Sequence, residues 1–247
     1  IMGIPMMYGV MGLGLFAAAY SLYGGLSAVS WTDVIQVVFL VMGGLVTTYL
    51  ALDAVSGGAG MWAGFSAIYD AAPDKFAMIL DKDHPEYLNL PGIGVLVGGM
   101  WVANIYYWGF NRYSIQRTLA AKSLKESQRG ILFAAGLKLI LPLIVVIPGI
   151  AAYVMTQDAA VMAGLGEAAL NKPPTGTNPD FAYPWLLQFL PTGLKGLAFA
   201  ALAAAIVSSL ASMLNSTSTI FTMDIYKPYI NPGADDRATV RMGRISA

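Results

Sequence analysis

Five long apolar stretches constrain this chain more strongly than any other feature of its sequence. A transmembrane helix needs roughly 20 mostly apolar residues to cross the hydrocarbon core of a bilayer. The five stretches are close to or above that length, and more polar residues separate each from the next. They lie at 4–22, 33–52, 91–111, 130–153 and 193–222. The sequence therefore predicts an all-α integral membrane protein, with five transmembrane helices in a single transmembrane domain.

Composition supports a membrane protein and excludes several other classes. Of the 247 residues, 57% are apolar and only 11% are charged, whereas a soluble domain carries about 25% charged residues. Lys plus Arg and Asp plus Glu both number 14, so the chain lacks the excess of positive charge that a nucleic-acid partner requires. With no Cys and one His, thiolate and histidine-cluster metal sites are excluded. No nucleotide-binding loop or nucleophile–base pair is present, so we expect no catalytic residue and no cofactor.

The distribution of charge predicts the orientation in the membrane. The loop 112–129 holds five basic residues and one acidic residue, and the tail 224–247 holds four basic residues. The longer loops 53–90 and 154–192 hold nine acidic residues and three lysines. Since basic residues remain on the cytoplasmic side, we expect 112–129 and the tail inside and the two long loops outside. Five spans alternate correctly under this assignment, which also places a turn at 23–32 inside.

Two further features concern the ends of the chain and its first long loop. The chain begins within an apolar stretch without the basic start of a secretory signal, and it stops soon after Arg241 and Arg244. We therefore expect an internal fragment of a longer protein. In the outer loop, the segment 61–72 has apolar residues at helical spacing, which predicts a short helix at the membrane interface.

Lys138 is the most unusual residue of the fourth stretch, because charged groups inside hydrocarbon are costly and are functional candidates by default. It lies nine residues into the stretch, roughly 13 Å from the cytoplasmic end at a rise of 1.5 Å per residue. Lys138 either makes a structural pair with a carboxylate or backbone carbonyls, or donates into a wet substrate cavity. Pro142 and Pro148 in the same stretch should kink the helix.

The third stretch carries amides and aromatic residues together. Asn104, Tyr107, Trp108 and Asn111 are spaced at i, i+3, i+4 and i+7, which places them on one face of an α-helix. An amide beside aromatic rings suits a sugar, whose C–H face packs on a ring while its hydroxyls bond to polar groups. The alternative is an interfacial belt of aromatic residues, which fits less well because Asn104 lies well inside the stretch.

The fifth stretch is rich in small residues, and two interpretations remain open there. Tight packing between helices explains most of them. For the adjacent pair Ser208 and Ser209, the second interpretation is that two hydroxyls and a nearby backbone carbonyl supply hard oxygen ligands to a small cation. One helix alone cannot complete such a site.

Asp33 begins the second stretch at its cytoplasmic end. An aspartate there favours the positive pole of the helix and can cap its first backbone N–H groups. It can also guide cations that leave a site deeper in the membrane. The sequence favours the cap, and the two roles are compatible.

Three longer strings resemble one known family. They are YSLYGGLSAVSWTDVIQVVFLVMGG, WVANIYYWGFNRYSIQRTLAAKS and FAALAAAIVSSLASMLNSTSTIFTMDIY. Together they are similar to the sodium/solute symporter family, and the similarity runs along the whole chain. That family has an inverted-repeat fold, in which five helices are repeated upside down and ligands bind near the midplane. The resemblance implies that this chain holds the fourth to eighth helices of the ten-helix core, and that its partners are the missing N- and C-terminal helices of the same protein.

The resemblance also implies roles for individual residues. The substrate would be bound by polar groups, an inner gate would stack on it, and sodium would bind to the fifth stretch and leave along an acidic path. The residues implied are Asn104, Lys138 and Tyr107 for the sugar, Tyr106, Tyr107 and Trp108 for the gate, Ser208, Ser209 and the carbonyl of Ala205 for sodium, and Asp33 for the exit path.

The function predicted from these features is sodium-coupled symport of a monosaccharide, of the galactose or glucose class, by alternating access in a bacterial inner membrane. Sodium and the sugar are transported ligands, and no covalent step occurs, so the protein is not expected to be an enzyme. One alternative is a symporter of the same family for an inositol, proline or a carboxylate. Another is a channel or membrane sensor, although a channel would need a continuous polar stripe and a sensor a soluble output domain.

Overall fold

The described part of the chain is helical throughout. The structure, a computed structural model, describes residues 5–84, 87–88, 92–165, 173–174 and 178–247. Within these ranges the chain forms α-helices and short 3₁₀ and π turns, without a β-strand. The predicted starts of the first and third stretches, at residues 4 and 91, and parts of the two outer loops lie outside the described residues.

The first two predicted stretches belong to one long helix, α1 (Met6–Val55), which bends at Gly25. Gly25 has φ 56° and ψ −165°, a conformation that glycine adopts readily because it has no Cβ. The turn expected at 23–32 is therefore wrong in extent, since only Gly25 leaves the helical conformation. The serines and threonine of this region lower the hydropathy, but they do not end a helix.

The outer loop after α1 contains the expected short helix, α2 (Met61–Ala71), followed by a 3₁₀ turn at Pro73–Phe76. Within α2, Gly64 and Ile68 are buried in the chain, whereas Trp62 and Tyr69 are exposed. Gly64 allows α2 to pack closely on α1, because a Cβ at this position would lie 2.0 Å from the backbone oxygen of Leu52. The buried residues of α2 thus serve internal packing, and its location at the membrane interface stays a prediction.

The third predicted stretch is helical but changes its winding twice. A π turn at Val95–Gly99 leads into α3 (Met100–Ile105), and a second π turn follows at Tyr106–Phe110. After Asn111 the chain continues as α4 (Arg112–Leu119). The π turns widen the helix locally, and such features occur frequently at functional sites.

The fourth predicted stretch is divided into two helices, α5 (Leu124–Lys138) and α6 (Leu141–Gln157). The interruption at residues 139–140 directly precedes Leu141 and Pro142. Proline is tolerated in the first turn of α6 because its missing N–H has no intrahelical partner there. The hydroxyl of Thr48 on α1 lies 2.8 Å from the carbonyl oxygen of Leu143 and donates to it, which ties α1 to the start of α6.

The remaining helices complete the chain. After α6 come α7 (Ala159–Gly164) and α8 (Ala182–Leu186), flanked by 3₁₀ turns at Pro179–Phe181 and Leu187–Phe189. The fifth predicted stretch is α9 (Thr192–Ile220), which continues as a π-helical segment at Phe221–Ile230. The tail forms α10 (Asp236–Ser246).

Four helical segments of the described chain are long and apolar enough to cross a membrane. They are Met6–Gly25, Val29–Val55, Leu124–Gln157 and Thr192–Ile230. The third predicted stretch is not among them, and its described helix at 93–110 is broken into α and π portions. Large apolar side chains are widely exposed along all of these segments, as expected for surfaces that face lipid.

Several segments predicted as loops are helical. The segment 112–129 consists of α4 and the start of α5, and the tail after residue 224 consists of the end of the π-helical segment and α10. Hydropathy predicts which residues prefer hydrocarbon, whereas backbone conformation outside the bilayer follows from local propensity and capping. The charged segments therefore contain helices, and part of each belongs to the apolar span beside it, Leu124–Gln157 or Thr192–Ile230.

The chain divides into two compact units, each with a core of its own. The first comprises Ile1–Phe39, Phe110–Arg129 and Ala200–Ala247, and the second comprises Leu40–Gly109 and Gly130–Phe199. In the first unit, the core consists of Ala17, Val29, Val207 and Ala211, from α1 and α9. In the second unit, it includes Ile68, Met155 and Trp185 from α2, α6 and α8.

Gly64→Ala should destabilise the second unit, because the added methyl group would meet the backbone of Leu52 and α2 would have to move. Overpacking of this kind costs about 1–3 kcal/mol. The apparent melting temperature of the full-length protein in detergent measures the effect. Gly136→Ala on α5 is the matched control, because a Cβ there meets nothing within 4 Å. Equal melting temperatures for the two variants would contradict the packing described.

Candidate functional site

A lysine and two aromatic rings form the first candidate group, in the second unit. Lys138 is the last residue of α5, and its Nζ lies 4.6 Å from the ring centre of Tyr107 and 4.7 Å from that of Trp108. The two rings meet edge to face, with centres 5.3 Å apart. An ammonium group at such distances is attracted by the negative faces of the rings. Within the described residues Lys138 makes no salt bridge, and its ammonium lies over the two rings.

The group is accessible to a ligand. Lys138 is exposed, Tyr107 is 38% exposed and Trp108 is half-buried. The next ring, Tyr106, is more exposed than Tyr107. An exposed cation over two rings can donate hydrogen bonds to hydroxyls while the rings offer flat apolar surface.

Asn104 lies one turn before this group and is satisfied locally. Its Nδ2 donates to the carbonyl oxygen of Met100 at 2.8 Å, and the side chain is exposed. This bond runs back along its own helix and fixes the amide without a partner from another helix. A ligand would have to replace that bond or use the amide oxygen.

The predicted single face of Asn104, Tyr107, Trp108 and Asn111 is only partly correct. The π turn at Tyr106–Phe110 alters the register after Asn104, because a π turn advances more residues than an α turn. Asn111 has a different role, since its Oδ1 accepts from the backbone N–H of Tyr113 at 3.1 Å and caps α4.

A buried network of polar side chains forms the second candidate group, in the first unit. Arg117 of α4 donates through Nη2 to Oδ2 of Asp33 at 2.5 Å. The hydroxyl of Ser208 on α9 donates to the other carboxylate oxygen, Oδ1. Asp33 is 25% exposed and Ser208 is buried. The carboxylate is therefore shared between a cation on one side and a hydroxyl on the other.

The prediction that Asp33 caps a helix is wrong. The helical segment that contains it begins at Val29, and Asp33 lies inside it. Its side chain bonds to Arg117 and Ser208 instead of to backbone N–H groups at a helix start. The guanidinium of Arg117 is a stronger partner for the Asp33 carboxylate than the partial positive charge at a helix N-terminus. Asp33 therefore does not need to lie at the start of a helix.

Three residues of α4 contact α9, and sequence reasoning missed all of them. Arg117 Nη2 also donates to the hydroxyl of Ser212 at 2.7 Å, and Gln116 donates to the Ser212 carbonyl at 3.3 Å. The Tyr113 hydroxyl lies 3.5 Å from that of Ser209. The signal was present, because residues 113, 116 and 117 are spaced to share a helical face. The basic residues of 112–129 instead indicate a cytoplasmic loop, in which helical spacing carries no prediction.

The predicted cation ligands fit a hard cation in their chemistry. Ser208 and Ser209 are consecutive on α9, where their hydroxyls contact Asp33 and Tyr113 respectively, and Ala205 lies one turn earlier. A helical carbonyl that already accepts one backbone N–H retains a second lone pair, so the carbonyl of Ala205 can contribute as well. Oxygen ligands of this kind suit alkali and alkaline-earth cations rather than soft metals.

Comparison with known proteins places the chain in a family. The sequence profile of the sodium:solute symporter family matches residues 1–247. The chain belongs to the sodium:solute symporter family. As a member of that family it is a multi-pass membrane protein of a transporter class.

Individual relatives agree with this assignment. The chain is 65% identical to the sodium/glucose cotransporter of Vibrio parahaemolyticus, over the whole of this chain and 46% of that protein. It is 36% identical to the sodium/myo-inositol cotransporter 2 of Bos taurus, over 96% of this chain and 36% of that protein. A solved Na⁺-coupled sialic acid symporter, in a substrate-bound outward-open state, matches with a TM-score of 0.78 and 25% identity, over 100% of this chain and 48% of that one.

These comparisons establish the fold as that of the Na⁺-coupled symporters. The expected all-α membrane fold and the resemblance stated from the sequence are confirmed. The chain spans about half the length, or less, of the relatives that it matches. The roles of Asn104, Lys138, Ser208 and the other predicted site residues stay predictions.

Asn111→Ala should loosen α4, because the backbone N–H of Tyr113 would lose its acceptor. Loss of such a cap costs about 1 kcal/mol, and Asn111→Asp should preserve it. Hydrogen–deuterium exchange of peptides that cover 112–119, measured in the full-length protein, reports the change. If the alanine variant exchanged there as slowly as the wild type and the aspartate variant, the cap would not stabilise α4.

Proposed function

We propose that the full-length protein is a sodium-coupled symporter of a monosaccharide of the glucose or galactose class, and that it works by alternating access. The observation that carries the proposal is the ammonium of Lys138 held over the rings of Tyr107 and Trp108. The relative from Vibrio parahaemolyticus, at 65% identity, is a sodium/glucose cotransporter, and this supports the sugar and the ion.

The sugar is recognised by charge-assisted hydrogen bonds and by stacking. The ammonium of Lys138 donates to sugar hydroxyls, and the ring of Tyr107 packs on the C–H face of the pyranose. Asn104 adds an amide from one turn earlier. Tyr106, Tyr107 and Trp108 form the inner gate, which must move before the sugar can leave toward the cytoplasm. A neutral polyol satisfies these groups without a second charge.

Sodium is bound by α9 and helices outside this chain. Ser208, Ser209 and the carbonyl of Ala205 supply part of its oxygen shell, and Asp33 lies on its way to the cytoplasm. Binding of sodium favours the conformation that binds sugar, and by linkage the sugar strengthens the binding of sodium by the same factor. Transport needs no covalent step, so the protein is not an enzyme and sodium is a transported ligand rather than a cofactor.

The proposed setting is the inner membrane of a bacterium. The bilayer is the solvent for the exposed apolar surfaces of the long helices. The basic segments 112–129 and 224–247 face the cytoplasm under the positive-inside rule. The helices that precede and follow this chain complete both ligand sites.

A second candidate substrate is myo-inositol. Relatives at 35% and 36% identity are sodium/myo-inositol cotransporters, and inositol is a neutral ring of hydroxyls much like a hexose. The contacts of Lys138 and Tyr107 do not by themselves separate the two. Identity of 65% to a glucose cotransporter favours the sugar.

Uptake by the full-length protein in proteoliposomes tests the proposal. Labelled galactose and glucose should accumulate under an inward sodium gradient, and accumulation should cease when potassium replaces sodium. Unlabelled glucose should compete more strongly than myo-inositol. Uptake that does not depend on sodium would contradict the symport proposal. Stronger competition by myo-inositol than by glucose would indicate that inositol is the substrate.

Lys138→Ala should weaken sugar binding by roughly 10- to 100-fold, because a hydrogen bond from a charged donor contributes about 1.5–3 kcal/mol. Equilibrium binding of labelled galactose in saturating sodium measures it. Lys125→Ala is the control, since Lys125 is exposed on the same helix. Unchanged sugar affinity in a folded Lys138→Ala protein would show that the lysine has a structural role only.

A further inference from the structure

Arg117 is a cation built into the polar network around Asp33. Its Nη2 contacts the Asp33 carboxylate at 2.5 Å and the Ser212 hydroxyl at 2.7 Å. Ser212 is fully buried, while the arginine and aspartate side chains are 32% and 25% exposed. The ion pair therefore lies at the edge of the buried network.

The guanidinium is bound incompletely. Its Nε is buried and has no hydrogen-bond partner within the described part of the chain, although a guanidinium carries five N–H donors. A single nitrogen makes both contacts to Asp33 and Ser212. An arginine optimised only to fasten two helices would use its fork on the carboxylate with two parallel bonds.

The same carboxylate also reaches a proposed sodium ligand. Oδ1 of Asp33 accepts from the hydroxyl of Ser208, so a cation that leaves Ser208 meets Asp33 as the next negative charge. Arg117 already neutralises that charge. Sodium and the guanidinium thus compete for one carboxylate, and both cannot bind it fully because like charges repel.

We propose that Arg117 is a tethered competitor of sodium: its guanidinium holds the Asp33 carboxylate and thereby prevents sodium from being retained there on its way to the cytoplasm. This inference rests on the proposed function, which places Asp33 on the sodium path. Arg117 is a positioning residue and does not touch the transported ligands. Arg117 keeps the affinity of the Asp33 carboxylate for sodium low enough for sodium to leave.

If Arg117 competes with sodium, its removal should raise the affinity for sodium, whereas the loss of a structural contact should not. Removal of the guanidinium by Arg117→Gln leaves Asp33 as an unpaired carboxylate beside Ser208. Sodium should then bind more tightly, by roughly fivefold, as expected when a partly exposed ion pair no longer competes. Loss of a merely structural contact would weaken sodium binding or leave it unchanged.

Equilibrium binding of radioactive sodium to the purified full-length protein, without sugar, measures this affinity directly. Arg117→Gln should lower the sodium dissociation constant. The double variant Asp33→Asn with Arg117→Gln should bring it back to the wild-type value or above, because the exposed carboxylate is gone. Arg129→Gln is the matched control, since Arg129 pairs with Glu126 in an exposed ion pair on the same basic segment.

The outcomes separate the two proposals. A wild-type protein that binds no sodium contradicts the proposed symport function. Sodium binding by the wild type with an unchanged or raised dissociation constant in Arg117→Gln overturns the competitor alone. If Arg117→Gln does not fold, Arg117→Met provides the test, because methionine fills part of the space of the arginine side chain without carrying a charge. An unchanged dissociation constant in that variant would likewise overturn the inference.

Discussion

Hydrocarbon offers polar groups no water, so charged side chains within or beside the spans need partners in the protein. Asp33 and Arg117 bond to each other and to serines of α9. Lys138, without a carboxylate among the described residues, lies over two aromatic rings. Each arrangement replaces hydration with contacts that are weaker or more exchangeable than a buried bidentate ion pair. Side chains held in this way can exchange their present contacts for others at modest cost.

Much of the fold follows from the apolar lengths in the sequence. The pattern predicts helices in all five stretches and kinks at Pro142 and Pro148. The chain is interrupted just before Pro142, whereas Pro148 lies inside the continuous helix α6. The resemblance of three strings to one family is borne out by the match along residues 1–247. These predictions succeed because hydropathy and proline act locally, through the residues that carry them.

The parts that the sequence did not predict depend on contacts between distant segments or on small changes in helical winding. The ion pair of Asp33 joins residues that are far apart in the chain, so spacing alone favoured a cap. The π turn at Tyr106–Phe110 shifts the face that begins at Asn104, and no residue type signals such a turn reliably. The basic residues of α4 also indicate a loop rather than a helix, although three residues of α4 bond to α9.

The bend at Gly25 has a mechanical consequence. The two arms of α1 join at a single residue that leaves the helical conformation, and the hydroxyls of Tyr20 and Thr32 lie 2.5 Å apart across the bend. Asp33 lies eight residues beyond the joint, about 12 Å along the helix at 1.5 Å per residue. If the arm Met6–Gly25 rotates, either the φ and ψ angles of Gly25 change or the Asp33 carboxylate is displaced. The torsion angles of Gly25 therefore help to set the position of the Asp33 carboxylate relative to the segment Met6–Gly25.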